Sequence, residues 1–128
     1  MNIFLICAGL LGLIYAGLSL RVARMRGTKR IFLGDGGDKE MTSAIRAHAN
    51  FIEYVPLCLL LIYICHVYYG YRTIAGLSVL LVVSRVLHAG GMMGLIPRGR
   101  VLGASGTIVV LAIASLWLAF IGLGIRLY

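Results

Sequence analysis

The chain has 128 residues, 61% of them hydrophobic, a formal net charge of +8 and a mean hydropathy of +1.00. A water-soluble domain of this length cannot hide so much apolar surface, because small globules leave a large share of their residues in contact with solvent. The positive charge lacks the aromatic-interleaved basic patch of a nucleic-acid binder, so it reads as membrane topology and attraction to anionic lipid, with no nucleic acid as partner.

Four apolar stretches follow one another, about Ile3–Leu20, Phe51–Tyr69, Thr73–Met93 and Val101–Ile125, each near the roughly 20 residues that cross a bilayer. They predict a single domain over residues 1–128, an all-α membrane protein folded as a four-transmembrane-helix up-down bundle. In the first stretch Met1-Asn2 carries no basic residue and the cations come after the apolar run, the order of a retained span with an outside N-terminus. Ala8, Gly12 and Ala16 set small residues four apart along it, and Gly90/Gly94 and Gly99/Gly103 repeat that spacing, the pattern of close helix packing in lipid.

The first connection holds six Lys/Arg (Arg21, Arg24, Arg26, Lys29, Arg30 and Lys39), and the third adds Arg98 and Arg100, whereas the opposite side offers Arg72 and Arg126. Both termini are therefore expected outside and the basic loops in the cytoplasm. Gly34-Asp35-Gly36-Gly37-Asp38 is a turn signal and the one acid-rich patch. Its ligand count and spacing fall short of a calcium loop.

The second helix is expected to begin near Met41, since no breaker intervenes before Asn50. Arg46, Asn50 and Glu53 at i, i+4 and i+7 line one stripe of it. Pro56 removes the hydrogen bond to the carbonyl of Ile52 and is expected to bend the helix just past Glu53. His48 lies off the stripe and reads as an interhelical hydrogen-bond partner. Cys58 and Cys65, with Cys7, read as small buried hydrophobes rather than a redox pair. Tyr68, Tyr69 and Tyr71 mark the outer interface, with His66 beside them, and Tyr15, Tyr63, Trp117 and Tyr128 read as packing or belt residues.

At a rise of about 1.5 Å per residue, Glu53 lies roughly 24 Å, Arg85 roughly 18 Å and His88 roughly 22 Å from the outer end. Arg46 and Asn50 fall slightly nearer the cytosol, with Arg100 starting the fourth helix at that level. Pairing Glu53 with Arg85 is the most economical arrangement, whether as a lock between helices or as part of a ligand contact. Arg46, Asn50, His88 and Arg100 then leave a positive surplus, which calls for an anionic ligand of the carboxylate kind. Arg46 or Arg100 taken singly would only snorkel to headgroups; the ensemble makes the ligand case. His48 and His88 lack a third partner at ligand spacing, so no metal is expected. No nucleophile elbow, Walker loop or Ser-His-Asp order is present.

The run Arg46-Ala47-His48-Ala49-Asn50-x-x-Glu53-Tyr54-x-Pro56 resembles the second-helix signature of the MAPEG superfamily, the membrane-associated proteins in eicosanoid and glutathione metabolism. Arg85-x-x-His88 resembles its third-helix motif, Arg100 the arginine that opens its fourth helix, and the Gly34–Gly37 loop its small bacterial branch. The resemblance implies a homotrimer in the bacterial inner membrane that binds glutathione as co-substrate between subunits near the cytoplasmic face. By position Arg46, Asn50, Glu53 and Tyr54 would hold the tripeptide, with His88 and Arg85 supporting the wall, and Arg21 or Arg24 reaching in from the first helix. Arg100 would stabilise the thiolate for attack on a lipophilic electrophile or hydroperoxide, its positive charge favouring the ionised sulfur.

The sequence departs from the pattern at several places. Val101 and Ala104 replace a serine and a tyrosine of the prostaglandin E synthase-like members, Met92 replaces a tyrosine, and Ala49 an arginine of some members. These departures favour, as an alternative, a non-catalytic lipid- or partner-binding protein on the same scaffold. A small multidrug transporter would need an acid in the first span, and Ile3–Leu20 contains none.

Overall fold

The computed structural model describes residues 2–125, so Arg126 and Tyr128, assigned above to the outer side and the aromatic belt, lie outside the described residues. Four helices follow in order: α1 Asn2–Lys29, α2 Lys39–Cys65, α3 Tyr71–Met92 and α4 Gly99–Gly122. All four are long and apolar enough to cross a membrane. Each connection is short, which makes chain neighbours antiparallel. α2 and α3 touch each other and both remaining helices, whereas α1 and α4 stay apart on opposite sides of that central pair.

The helices begin and end for local reasons. α1 runs nine residues past the apolar stretch that announced it, through Arg21–Lys29, because arginine, lysine and alanine are good helix formers although hydrophilic or small. α2 starts at Lys39, two residues before the expected Met41. Asp38 caps it, its Oδ1 accepting the Met41 N–H at 2.8 Å. α3 closes on a Schellman motif, in which Gly94 takes a left-handed φ of 75°. Its N–H and that of Leu95 bond the carbonyls of Gly91 and Gly90 at 3.1 and 2.9 Å. Pro97 follows where the helix cannot continue.

The acid-rich loop is tied to α1 and α2 by side-chain bonds. Lys29 Nζ meets Asp38 Oδ2 at 2.6 Å and Glu40 Oε2 at 2.8 Å. Arg26 Nη1 donates to the carbonyls of Ile31 and Gly34, both at 3.1 Å. Asp35 accepts from Gly37 N–H at 3.0 Å and from the Thr42 hydroxyl at 2.8 Å. Those two bonds hold the Asp35 carboxyl below its ordinary range, and the Lys29 bond, then the Met41 N–H, do the same for Asp38.

The end of the bundle where α1 begins is packed with aromatic and apolar groups. Phe4 lies 6.0 Å from Tyr63 and Tyr69 stacks on Trp117 at 4.7 Å, while Cys65 Sγ donates to the Ala114 carbonyl at 3.7 Å. Cys7, Cys58 and Cys65 are free and buried, as the sequence suggested. α2 continues through Pro56 to Cys65 without interruption.

The closest approach is between α3 and α4. Ser84, Leu87, His88 and Gly91 on α3 face Gly99, Gly103 and Gly106 on α4. A Cβ at Gly103 would collide with the backbone of His88 and Ser84, and one at Gly91 with the backbone of Gly99 and Arg100. The expected Gly99/Gly103 spacing is therefore a packing seam, extended to Gly106. The other expected stripes form no such seam within the chain. Gly94 serves the turn, Gly90 lies under Ile96, and Gly12 of the α1 stripe has open space around it.

Candidate functional site

The α3–α4 seam sets α4 against the inner half of α2, and two recesses form where α2, α3 and α4 meet. The outer recess is a cleft of about 410 Å³ lined by Lys39, Thr42, Ser43, Arg46, Gly91, Met92 and Arg100. Ser43 Oγ fixes its floor by donating to the Met92 carbonyl at 2.6 Å. Arg46 and Arg100, assigned to the ligand from sequence, thus share one opening with Lys39. Three cations with no carboxylate in the lining suit an anion.

The inner recess is a cavity of about 30 Å³ lined by Asn50, Tyr54, Arg85, Ala104, Thr107 and Ile108. Asn50 follows Arg46 by four residues and Ala104 follows Arg100 by four, so the cavity lies one helical turn deeper on the same faces. Arg85 is 1% exposed. Its Nη1 donates to Asn50 Oδ1 at 3.0 Å and reaches the Asn50 carbonyl at 3.4 Å, while Nε and Nη2 are buried without a partner. A guanidinium stays protonated, and taking it out of water without a counter-charge costs several kcal/mol.

The expected Glu53–Arg85 pair does not form, because Asn50 and not Glu53 faces Arg85. Three residues further along the helix is most of a turn, and there Glu53 points to the exposed side of α2. The stripe Arg46, Asn50, Glu53 therefore divides: Arg46 enters the cleft, Asn50 the cavity, and Glu53 neither. Tyr54 joins Asn50 in the cavity wall.

His88 is buried beneath the glycine seam, its backbone against Gly103, and lines neither recess. Arg21 and Arg24 sit on α1, which does not touch α4, and they line neither recess. Pro56 faces outward. His48 bridges helices as expected: its Nε2 lies 3.1 Å from Ser19 Oγ on α1. Ser19 already donates to the Tyr15 carbonyl at 2.9 Å, so the imidazole supplies the proton of that bond. Its ring stacks on Tyr15 at 4.8 Å.

Lys39, Thr42, Ser43 and Thr107 were not singled out from sequence. Counting back from Arg46 by four and by seven gives Thr42 and Lys39, so the helical stripe that carried Arg46 and Asn50 contained them already. Of the departures noted above, Met92 lines the cleft and Ala104 the cavity, where a larger side chain would occupy the space beside Arg85. Val101 is exposed. Among the described residues no group of three or more His, Cys, Asp or Glu is placed to hold a metal ion.

The sequence model of the MAPEG family matches residues 4–120. The inner membrane protein YecN of Escherichia coli K12 is 31% identical over 114 residues, which cover 86% of this chain and 87% of that protein. Its counterpart from Escherichia coli O6:H1 matches with the same identity and coverage.

Proposed function

The chain belongs to the MAPEG family, and from that premise we propose that it is a glutathione-dependent transferase or peroxidase acting on lipophilic electrophiles or lipid hydroperoxides. The observation that carries this reading is the cationic cleft in which Lys39, Arg46 and Arg100 converge, directly above Asn50 and Arg85. Glutathione brings two carboxylates, an amine and a thiol. The carboxylates match the cleft's guanidinium and ammonium groups. Arg100 beside the sulfur would favour the thiolate, which adds to an electrophilic carbon as a leaving group departs. In the peroxidase case two glutathione molecules give up their thiol hydrogens and join as a disulfide, and the hydroperoxide is reduced to an alcohol and water.

Self-association as a homotrimer belongs to the same proposal. Glu53 leaves an ionisable carboxylate on the exposed side of a spanning helix, where a second copy would meet it. Arg21 and Arg24 would then serve a neighbouring protomer's cleft, since α1 does not touch α4 of its own. In the inner membrane, where the related YecN is named, the proposed orientation follows the asymmetry of Lys and Arg: cleft end in the cytoplasm, both termini outside.

Arg100→Ala tests the reading. Conjugation of glutathione to a chlorodinitrobenzene-type probe should fall by about two orders of magnitude, as for loss of one charge-stabilising group, at unchanged assembly size. Conjugation at the full rate removes Arg100 from the chemistry.

Val101 and Met92 favour a second reading, a non-catalytic protein presenting lipid or a partner, because they bring hydrocarbon to the neighbourhood of Arg100. It predicts no thiolate absorbance on adding glutathione and a lipid retained through purification.

A further inference from the structure

Arg85 presents an unresolved charge. The ion pairs among the described residues are those of Lys29 with Asp38 and Glu40, at the far end of the first connection. Glu53 is exposed elsewhere on α2, so among the described residues no carboxylate meets the guanidinium. Nε and Nη2 are buried and unpaired, and Arg85 forms one wall of a cavity of about 30 Å³. That is room for one water-sized or halide-sized occupant.

The lining chooses between those two. Asn50 gives its Oδ1 to Arg85, which leaves the amide NH₂ as its free function. Tyr54 brings a phenolic O–H. Thr107 spends its hydroxyl proton on the Gly103 carbonyl at 2.8 Å. Ala104 and Ile108 supply apolar walls. Donors therefore outnumber acceptors around an uncancelled positive charge within a spanning bundle. A water would satisfy hydrogen bonds and leave the charge; an anion does both.

We propose that the cavity between Arg85, Asn50, Tyr54 and Ala104 is a binding site for a small monovalent inorganic anion of the halide class. Chloride seated there lies beside the Arg85 guanidinium, neutralises its charge and accepts from the Asn50 amide and the Tyr54 hydroxyl of the lining. Lys39, Arg46 and Arg100, one turn nearer the aqueous end, raise the local anion concentration at its entrance. Nothing in this site requires a thiol ligand. Carboxylates share the chemistry, so the test uses chloride alone, without glutathione or added lipid acid.

Purified protein in detergent and halide-free sulfate buffer is titrated with chloride while the chloride NMR linewidth is followed. The expected result is saturable excess broadening over detergent alone, displaced by bromide. Ala104→Leu fills the cavity and leaves every charge in place, and should lower the apparent chloride affinity about tenfold or more, the loss of hydrogen bonds to a charged group. Lys39→Gln with Arg46→Gln, which strips the cleft and spares the cavity, should leave saturable broadening in place. Wild-type protein without excess broadening overturns the site whatever the variants do. Broadening lost with the cleft pair and retained in Ala104→Leu overturns it as well, by moving the anion to the outer cleft.

Discussion

The two halves of the bundle are built on different principles. In the outer half, here the end away from the cleft, the buried side chains include Cys7, Leu11, Ile62, Cys65, Ile74, Leu77, Val110 and Ala114, with Tyr69 stacked on Trp117. Of the polar groups there, Ser78 returns its hydroxyl to its own helix at Ile74, while His66 Nδ1 and the Tyr69 hydroxyl are buried without partners. The inner half buries Arg85, Ser84, His88 and Thr107, partly buries Asn50 and His48, and leaves two donors of Arg85 without partners. Helices in lipid gain little from apolar burial against one another and depend on close packing. The outer half and the glycine seam can hold the bundle together by packing alone, which frees the inner half to carry a polar layer that stability does not require.

Filling the seam is the largest perturbation this contrast offers. Gly103→Leu places a side chain where the backbones of Ser84 and His88 already lie. Backbone cannot yield as a side-chain tip can, so a destabilisation of about 3 kcal/mol or more is expected, at the upper end for overpacking. The measurement is the yield of monodisperse protein and its melting temperature in detergent. A variant that melts like wild type would show that α3 and α4 are not held by this contact.

Arg85→Met asks the opposite of the polar layer. Replacing an uncompensated buried charge with an apolar side chain of similar length is often neutral or stabilising, by about 1–4 kcal/mol. The melting temperature should therefore hold or rise while chloride broadening disappears. A marked fall in melting temperature, with Asn50→Leu failing to restore it, would make Arg85 a structural strut and erase the division between the halves.

The division was partly visible in the chain itself. Hydropathy located all four helices because each apolar run is about the length of a bilayer, and it missed Arg21–Lys29 because helix propensity and hydropathy are separate properties. The helical period put Arg46 and Asn50 on one face correctly. It could not say how α3 would be rotated and shifted against α2, and so could not choose Asn50 over Glu53 as the partner of Arg85. A difference of three residues along α2 decides that choice, and it follows from the glycine seam and from Ser43 bonding the end of α3. Arithmetic on rise per residue brought α2 and α3 polar groups to neighbouring levels, as the Asn50–Arg85 bond shows, and assigned the wrong partner. The cavity was legible only as a negative sign, the small Ala104 where a tyrosine was expected.

The smallest effect lies outside the span and sharpens the contrast from the other side, because the first connection is fully satisfied where the inner layer is not. Asp38 caps α2 and meets Lys29, and both bonds hold its carboxyl below the ordinary value of 3.8. A group whose folded pKa is depressed stabilises the fold above the unfolded value and ceases to do so as pH falls through the folded one. The advantage of wild type over Asp38→Asn in melting temperature should therefore be constant at neutral pH, shrink on acidification through 3.8 and vanish below it. Added salt should reduce it throughout, since the pair is reached by solvent. A difference that persists at low pH would rule out the ion pair as its source, because an asparagine caps nearly as well and the charge is what distinguishes the two side chains.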